Sequence, residues 1–178
     1  MAEMQPLDVA VEALTFVAQT QGPADPAPPP ADEHVEEAEA ALGRRLPPSY
    51  VAFMRRAGEV LLPDWDLYWV GGPELERRNL LIANELEREH DESALPKFLI
   101  AFCDDGNGDQ YCFDTRAKRH ATGGEGLDAA DDTPNDDPET YPVVLWDRDQ
   151  GQAQLVDGLY VVADHFLDWL KQQVHEST

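Results

Sequence analysis

The stretch LIAFCDDGNGDQYCFDT, residues 99–115, constrains the fold of this chain more than any other part of the sequence. Two short apolar runs flank a turn that is rich in Asp and Gly. Gly and Asn tolerate positive φ, and Asp side chains accept hydrogen bonds from turn amides, so the pattern is typical of a β-hairpin. The sequence therefore predicts two antiparallel strands whose connecting tip carries Asp104, Asp105 and Asp109.

Helical and strand patterns surround this hairpin. Helices are predicted for residues 7–20, 32–42, 48–57, 74–90 and 163–174, with a break near Asn79 left open in the fourth. Further strands are predicted for 65–70 and 141–147, and one or two strands within 153–162. Gly43 and Gly58 are expected to end two of the helices, and Asp32 to cap the first of that pair. Helices first, then a run of strands, then a final helix predict the α+β class, with a mainly antiparallel sheet flanked by helices in a single domain.

Two regions hold few large apolar residues and are predicted to lie outside the core. Residues 22–31, GPADPAPPPA, contain five prolines, which makes a semi-rigid extended spacer. Residues 1–31 are therefore predicted to be a helical arm and a linker, and residues 32–178 the domain. The second region is an acidic insertion at about 116–140.

The charge balance argues against several classes of ligand. The chain has 13 Lys and Arg against 36 Asp and Glu, for a net charge of −23. Nucleic acids and anionic membranes are disfavoured because binding either one needs clustered positive charge. A basic protein partner would instead be attracted from a distance. Composition alone is equally consistent with acidity that only keeps the protein soluble.

Cysteine usage and the N-terminus predict a cytoplasmic protein. Only Cys103 and Cys112 are present, and Glu3, Asp8 and Glu12 stand where a secretory signal would carry positive charge. No apolar run approaches the ~20 residues of a membrane span. Reduced thiols are expected, and a disulfide needs the two cysteines to face each other across the hairpin.

The search for catalytic or metal-binding patterns gives none that fits. A calcium loop starting at Asp105 would have Gln110 where Gly belongs and Arg116 where Glu belongs. The five histidines lack a close metal-ligand spacing. Ser49 lacks the glycines of a nucleophile elbow. We therefore expect no catalytic residue, no metal and no cofactor, with a carboxylate enzyme using a divalent metal as the weakest alternative.

The insertion contributes the second group of candidate residues. Residues 125–139, EGLDAADDTPNDDPE, hold seven acidic side chains and no basic one, which indicates a solvated loop. The loop is interpreted either as an electrostatic attractor for a cationic surface or as a tolerated insertion. The predicted partner-binding residues are Asp131, Asp132, Asp136 and Asp137 in the loop, with Asp104, Asp105 and Asp109 at the hairpin tip.

The order of these motifs resembles the SUKH superfamily, the Smi/Knr-type domain. VEEAEAALGRRLPPSYVAFMRRAGEV is similar to its N-terminal signature, the hairpin to its central Gly-Asp turn, and VVADHFLDWL to its final helix. The match spans about residues 32–174. The residues that carry it are Glu39, Leu42, Gly43, Leu46, Pro47, Tyr50, Phe53, Gly58, Gly106, Gly108, Asp109, Asp114, Ala163, Phe166 and Leu170.

The resemblance implies a SUKH fold and a role that needs no catalysis. Many bacterial members of the superfamily are immunity proteins that neutralise toxins delivered between competing cells, often nucleases or nucleic-acid deaminases. The expected function is therefore a cytoplasmic immunity protein that binds a cognate toxin and blocks its basic functional surface. The alternative is a regulatory protein-binding module of the cell-wall and signalling type, with the Pro-rich arm as a docking element. The oligomeric state is left open.

Overall fold

The computed structural model of the protein describes residues 29–57, 66–71, 78–90, 93–117 and 132–176. The predicted N-terminal helix, Gly58 and most of the acidic insertion lie outside these residues. The described strands are β1 Asp66–Leu67, β2 Leu99–Asp104, β3 Gln110–Asp114, β4 Val143–Trp146 and β5 Tyr160–Ala163. The described helices are α1 Asp32–Leu42, α2 Pro48–Ala57, α3 Leu80–Arg88, α4 Gln154–Asp157 and α5 Phe166–Glu176, with short 3₁₀ turns at Pro138–Thr140 and Gly151–Ala153.

The five strands form one antiparallel sheet in the order β1-β2-β3-β4-β5. The prediction of an α+β domain with an antiparallel sheet is confirmed. So is the hairpin, in which β2 and β3 pair from Leu99 with Asp114 to Asp104 with Gln110. Each strand runs opposite to the next, so the hairpin tip and the end of β4 lie at the same end of the sheet.

The elbow between α1 and α2 is held by two carboxylates. Gly43 ends α1 at φ +67°, a left-handed conformation that suits Gly. The Leu46 N–H donates to Glu39 Oε1 at 2.8 Å, and the Ser49 N–H, in the first turn of α2, donates to Glu139 Oε2 at 3.0 Å. Carboxylates are favourable at a helix N-terminus, where backbone N–H groups have no helical partner.

One face of the sheet is covered by an aromatic cluster. The rings of Phe102 on β2 and Phe113 on β3 stack at 4.2 Å between centroids. Tyr50 from α2 and Phe166 from α5 make edge contacts with both of these rings and with each other. The distances between ring centroids are 5.3 to 6.0 Å. All four side chains are fully or almost fully buried. The cluster therefore fixes α2 and α5 on this face.

A side chain on α3 completes the β2 edge. β1 pairs with β2 through Asp66 and Leu67, and the Tyr68 N–H adds a bond to the Phe102 carbonyl at 2.8 Å, so the pairing stops short of Ala101. Asn84 is fully buried, and its Nδ2 donates to the Ala101 carbonyl at 2.8 Å. The Ala101 N–H donates to Asn84 Oδ1 at 2.9 Å. Asn84 thus takes the place of a strand residue beyond Leu67.

The predicted strand over residues 65–70 is shorter than expected. Trp65 lies outside the described residues; within 66–70 only Asp66–Leu67 forms a strand, and all the residues from Leu67 to Val70 are buried rather than alternating. The Trp69 N–H donates to the Arg78 carbonyl at 2.6 Å, and the Trp69 carbonyl accepts from the Leu80 N–H at 2.9 Å. The chain therefore leaves β2 and bonds to the segment that precedes α3.

Two further local predictions need correction. Residues 153–162 were predicted to hold one or two strands, but the first part forms the short helix α4, Gln154–Asp157, and β5 alone pairs with β4 in this segment. The Gln154 side chain binds both the N–H and the carbonyl of Asp147, at 3.1 and 2.7 Å, which holds α4 against the end of β4. Asp32 does not cap α1; it is the first helical residue, and its carboxylate pairs with Arg55 at 2.5 Å.

The two cysteines are free thiols inside the sheet. The register places Cys103 opposite Tyr111 and Cys112 opposite Ala101, so the cysteines do not face each other. Both side chains are fully buried, and burial raises the pKa of both thiols well above the ordinary value. The raised pKa keeps both thiols protonated at neutral pH.

We expect both cysteines to be unreactive until the protein unfolds. A thiol reagent reacts with the thiolate form, and here both thiols are protonated and buried away from the reagent. Native protein should react at least roughly a hundredfold slower than free cysteine, whereas protein in urea should release two thiols per chain. The absorbance of a released chromogenic thiol measures both values. Rapid reaction of the native protein would contradict the buried register.

Candidate functional site

The carboxylates predicted to bind a partner lie at opposite ends of the sheet. Asp104, Asp105 and Asp109 are at the hairpin tip, whereas the connection that holds Asp132 leaves β3 at its far end. β3 has five residues, so the two groups are separated by at least roughly 15 Å. Asp136 and Asp137 lie with Asp132, and Asp131 is outside the described residues. The two groups do not form one patch.

The tip carboxylates shape the turn. Asp105 Oδ1 accepts from the N–H groups of Asn107 and Asp109 at 2.8 and 3.1 Å. Asp104 Oδ1 accepts from the Gly106 N–H at 2.7 Å, and its Oδ2 accepts from Gln110 Nε2 at 2.8 Å. Asp104 and Asp105 stay partly exposed. They therefore hold the turn and present negative charge at the same time.

Three carboxylates that sequence reasoning missed join this end of the sheet. Asp66 pairs with Asp104 across β1 and β2, and Asp147 and Asp149 follow the end of β4. We call this set the acidic end; it comprises Asp66, Asp104, Asp105, Asp109, Asp147 and Asp149. Only the strand register could have shown that Asp66, Asp147 and Asp149 join the hairpin tip, because these three residues are far from the tip along the chain.

The carboxylates of the acidic end influence one another. Partial burial raises the pKa of Asp109, and the nearby charges of Asp147, Asp105 and Asp149 raise it further, while the Arg148 N–H opposes this by donating to Asp109 Oδ1 at 3.0 Å. The pKa of Asp147 is lowered, mainly because Gln150 donates its backbone and side-chain N–H groups to that carboxylate. Asp147 therefore keeps its charge under mildly acidic conditions.

Two arginines partly offset this charge. Arg78 pairs with Asp66 at 2.7 Å, and Arg148 pairs with the largely buried Glu87 of α3. Gly108 lies directly under Arg148, since a Cβ at that glycine would be 3.3 Å from the guanidinium nitrogen. Gly108 also has φ +104°, which favours Gly. Arg148 therefore ties the hairpin tip to α3, and an excess of carboxylates remains.

Asp132, Asp136 and Asp137 lie beyond the far end of β3, at what we call the insertion end, and its described part is more nearly balanced in charge. Asp132 pairs with Arg44 at 2.6 Å, and Arg116 pairs with Asp114 at 2.6 Å. Asp137 Oδ1 accepts from the Glu139 N–H at 3.2 Å and so caps the 3₁₀ turn. Asp136 is exposed. Among the described residues, the acidic end is thus the stronger electronegative surface.

The residues that the structure describes contain no group of three or more His, Cys, Asp or Glu side chains arranged to hold a metal ion. They also contain no helix that is both long and apolar enough to cross a bilayer.

Comparison with known proteins identifies the family. The model of the SMI1 / KNR4 family (SUKH-1) matches residues 29–172. The chain belongs to the SUKH-1 family. The fold of this SUKH-1 domain is similar to the crystal structure of a protein from Pseudomonas syringae pv. tomato, with a TM-score of 0.52 and 17% identity over 77% of this chain and 83% of that chain. A search of curated proteins found no match.

The residues that carry the family resemblance have structural roles in this SUKH-1 domain. Glu39 and Gly43 build the elbow after α1, and Tyr50 and Phe166 belong to the aromatic cluster. Gly108 accommodates Arg148 at the hairpin tip. These residues therefore account for the fold of the domain.

Proposed function

We propose that this SUKH-1 domain is a cytoplasmic immunity protein that binds a cognate protein toxin and blocks the toxin's basic functional surface. Immunity to toxins is a common role of SUKH domains. The observation that carries the proposal is the acidic end, where six carboxylates from three segments of the chain lie at one end of the sheet. On this proposal the domain acts by occupying a surface and performs no catalysis itself.

Charge supplies the physical basis. A toxin that acts on nucleic acid needs a basic surface because phosphate contacts dominate its binding. A partner with a net charge of −23 competes for that surface through fast, salt-sensitive association followed by short-range packing. The acidic end is the better candidate for this steering, because it brings six carboxylates together, whereas Arg44 pairs with Asp132 and Arg116 with Asp114 at the described insertion end.

The test uses the gene beside the one that encodes this chain. We expect it to encode a secreted protein whose C-terminal toxin domain stops the growth of a host cell, and co-expression of this chain should restore growth. The purified pair should form a complex in which the toxin is inactive. If no such toxin exists and binding to another protein is lost with residues 1–31, the regulatory-module alternative replaces the proposal.

Neutralising the acidic end should slow association with that toxin. Replacing Asp104, Asp105 and Asp109 by Asn keeps an acceptor oxygen in each turn position and removes three charges. We expect the association rate to fall roughly threefold to tenfold at low salt, and the difference to shrink at high salt. Stopped-flow mixing measures the rate.

The matched control neutralises the insertion end. The four predicted residues there, Asp131, Asp132, Asp136 and Asp137, are replaced by Asn in the same way. We expect a smaller effect because the described ones among these residues lie at the far end of the sheet from the acidic end, where the toxin is expected to approach. An unchanged rate in both variants would remove these carboxylates from the mechanism.

A further inference from the structure

Exposed apolar side chains gather at the outer strand of the sheet. In the described residues, the exposed large apolar side chains include Val156 at 86%, Tyr160 at 71% and Val161 at 53%, all within six positions of the chain. The other is Leu86 at 54%, on α3 near the opposite edge of the sheet. Apolar exposure gathered at one sheet edge is typical of an interaction surface.

The strand register extends this exposure across the sheet. Tyr111 is opposite Leu145, and Leu145 is opposite Tyr160, so the three side chains share one face. Trp169 of α5 packs on Tyr111 at 5.4 Å between ring centroids. The helix therefore covers the inner end of the row, whereas Tyr160 extends beyond it. Val161 lies on the other face, opposite the buried Val144.

The edge of β5 is also open in the described part of the chain, where β5 pairs only with β4. Edge strands are commonly protected by Lys or Pro, and the sequence YVVA of β5 has neither. A strand of four residues offers few backbone hydrogen bonds. Most of the affinity of an added strand would therefore come from burying Tyr160 and Val161.

The acidic end adjoins this edge. Tyr160 is opposite Leu145, which lies two residues before Asp147, so Asp147 is roughly 7 Å farther along the sheet. Asp149 is exposed in the turn that follows. A strand laid along β5 would therefore have one end beside these carboxylates, where Lys or Arg side chains would be favoured.

We propose that β5 is the docking edge for the toxin, and that an extended segment of the toxin adds to it as a sixth strand, with apolar side chains over Tyr160 and Val161 and basic side chains beside Asp147 and Asp149. This inference rests on the proposed function and specifies its contact. It also assigns separate roles to the two surfaces, because the acidic end attracts the partner and the apolar edge retains it.

The experiment uses the full chain and the toxin domain encoded by the neighbouring gene. Val161→Ser is compared with Leu86→Ser, because the two side chains have nearly equal exposure and undergo the same kind of change. Calorimetry should show that Val161→Ser and Tyr160→Ser each weaken binding roughly tenfold or more, whereas Leu86→Ser changes it less than roughly twofold. Thermal unfolding of each variant checks that it is folded.

Hydrogen exchange gives a readout that needs no variant. The backbone amides of β5 in the wild-type chain should gain protection when the toxin domain binds. Equal affinities of the Val161 and Leu86 variants, or no gain in protection, would overturn the docking edge while leaving the immunity function in place. If the wild-type chain binds no toxin at all, both proposals fail together.

Two other occupants of the edge would also overturn the inference. If the β5 amides are already protected in a free monomer, the chain covers its own edge. If light scattering shows a dimer that Val161→Ser dissociates, a second copy occupies it.

Discussion

Replacing Asn84 with Ala is expected to lower the free energy of unfolding by about 3–5 kcal/mol. The substitution leaves the N–H and the carbonyl of Ala101 without their side-chain partners in a site that water does not reach. Each buried backbone group that loses its hydrogen bond costs roughly 1–3 kcal/mol, and the cavity left by the side chain adds to this. Urea unfolding followed by tryptophan fluorescence measures the change.

Asn107→Ala is the matched control. Asn107 has an exposed side chain at the hairpin tip whose amide makes only one long contact, at 3.4 Å to Asp105. The same chemical change there should cost less than about 0.5 kcal/mol. Equal losses in the two variants would show that Asn84 does not complete the edge of β2.

Asn84→Asp separates hydrogen bonding from side-chain size. The variant keeps an acceptor for the Ala101 N–H but, when ionised, places a negative charge beside the Ala101 carbonyl. Burial would raise the pKa of the new carboxyl above its value in the unfolded chain, so stability should be lost as pH rises through the folded-state pKa. We expect its deficit relative to wild type to be smaller at pH 5 than at pH 8, as urea unfolding at both pH values would show.

Sequence reasoning predicted the elements whose signals are local. Gly43 and Pro48 mark helix ends by their own backbone preferences, and the hairpin follows from its Asp and Gly turn. Asn84 gives no such signal, because its role depends on the β2 backbone 17 residues away. The shortness of β1 could not be predicted for the same reason, because the Trp69 backbone bonds to Arg78 and Leu80 rather than to β2.

The candidate site was predictable only in part, and for the same reason. Asp104, Asp105 and Asp109 could be predicted as one group because they are close together in the sequence. Asp147 and Asp149 join them only through the pairing of β3 with β4, which sequence does not give. Composition likewise could not distinguish the hairpin tip from the insertion, although Arg44 pairs with Asp132 from 88 residues away. Net charge therefore predicted the sign of the surface but not its position.

Replacing Phe166 with Ala is expected to cost about 3–5 kcal/mol, because it removes the ring at the centre of the aromatic cluster. Phe166 is almost fully buried and contacts rings from α2, β2 and β3, including Tyr50, Phe102 and Phe113. The cavity would lie between α5 and the sheet, where a rigid strand pair limits collapse. Urea unfolding measures the loss, and a lower unfolding midpoint is expected by heat as well.

The control for this substitution is the next residue of the same helix. Leu167 is only partly buried, so Leu167→Ala should cost about 1 kcal/mol, while both variants share the same change in helix propensity to within a few tenths. Phe166→Leu should recover more than half of the loss, since it refills most of the cavity with apolar atoms. Equal stabilities of Phe166→Ala and Leu167→Ala would mean that this ring does not fix α5 to the sheet.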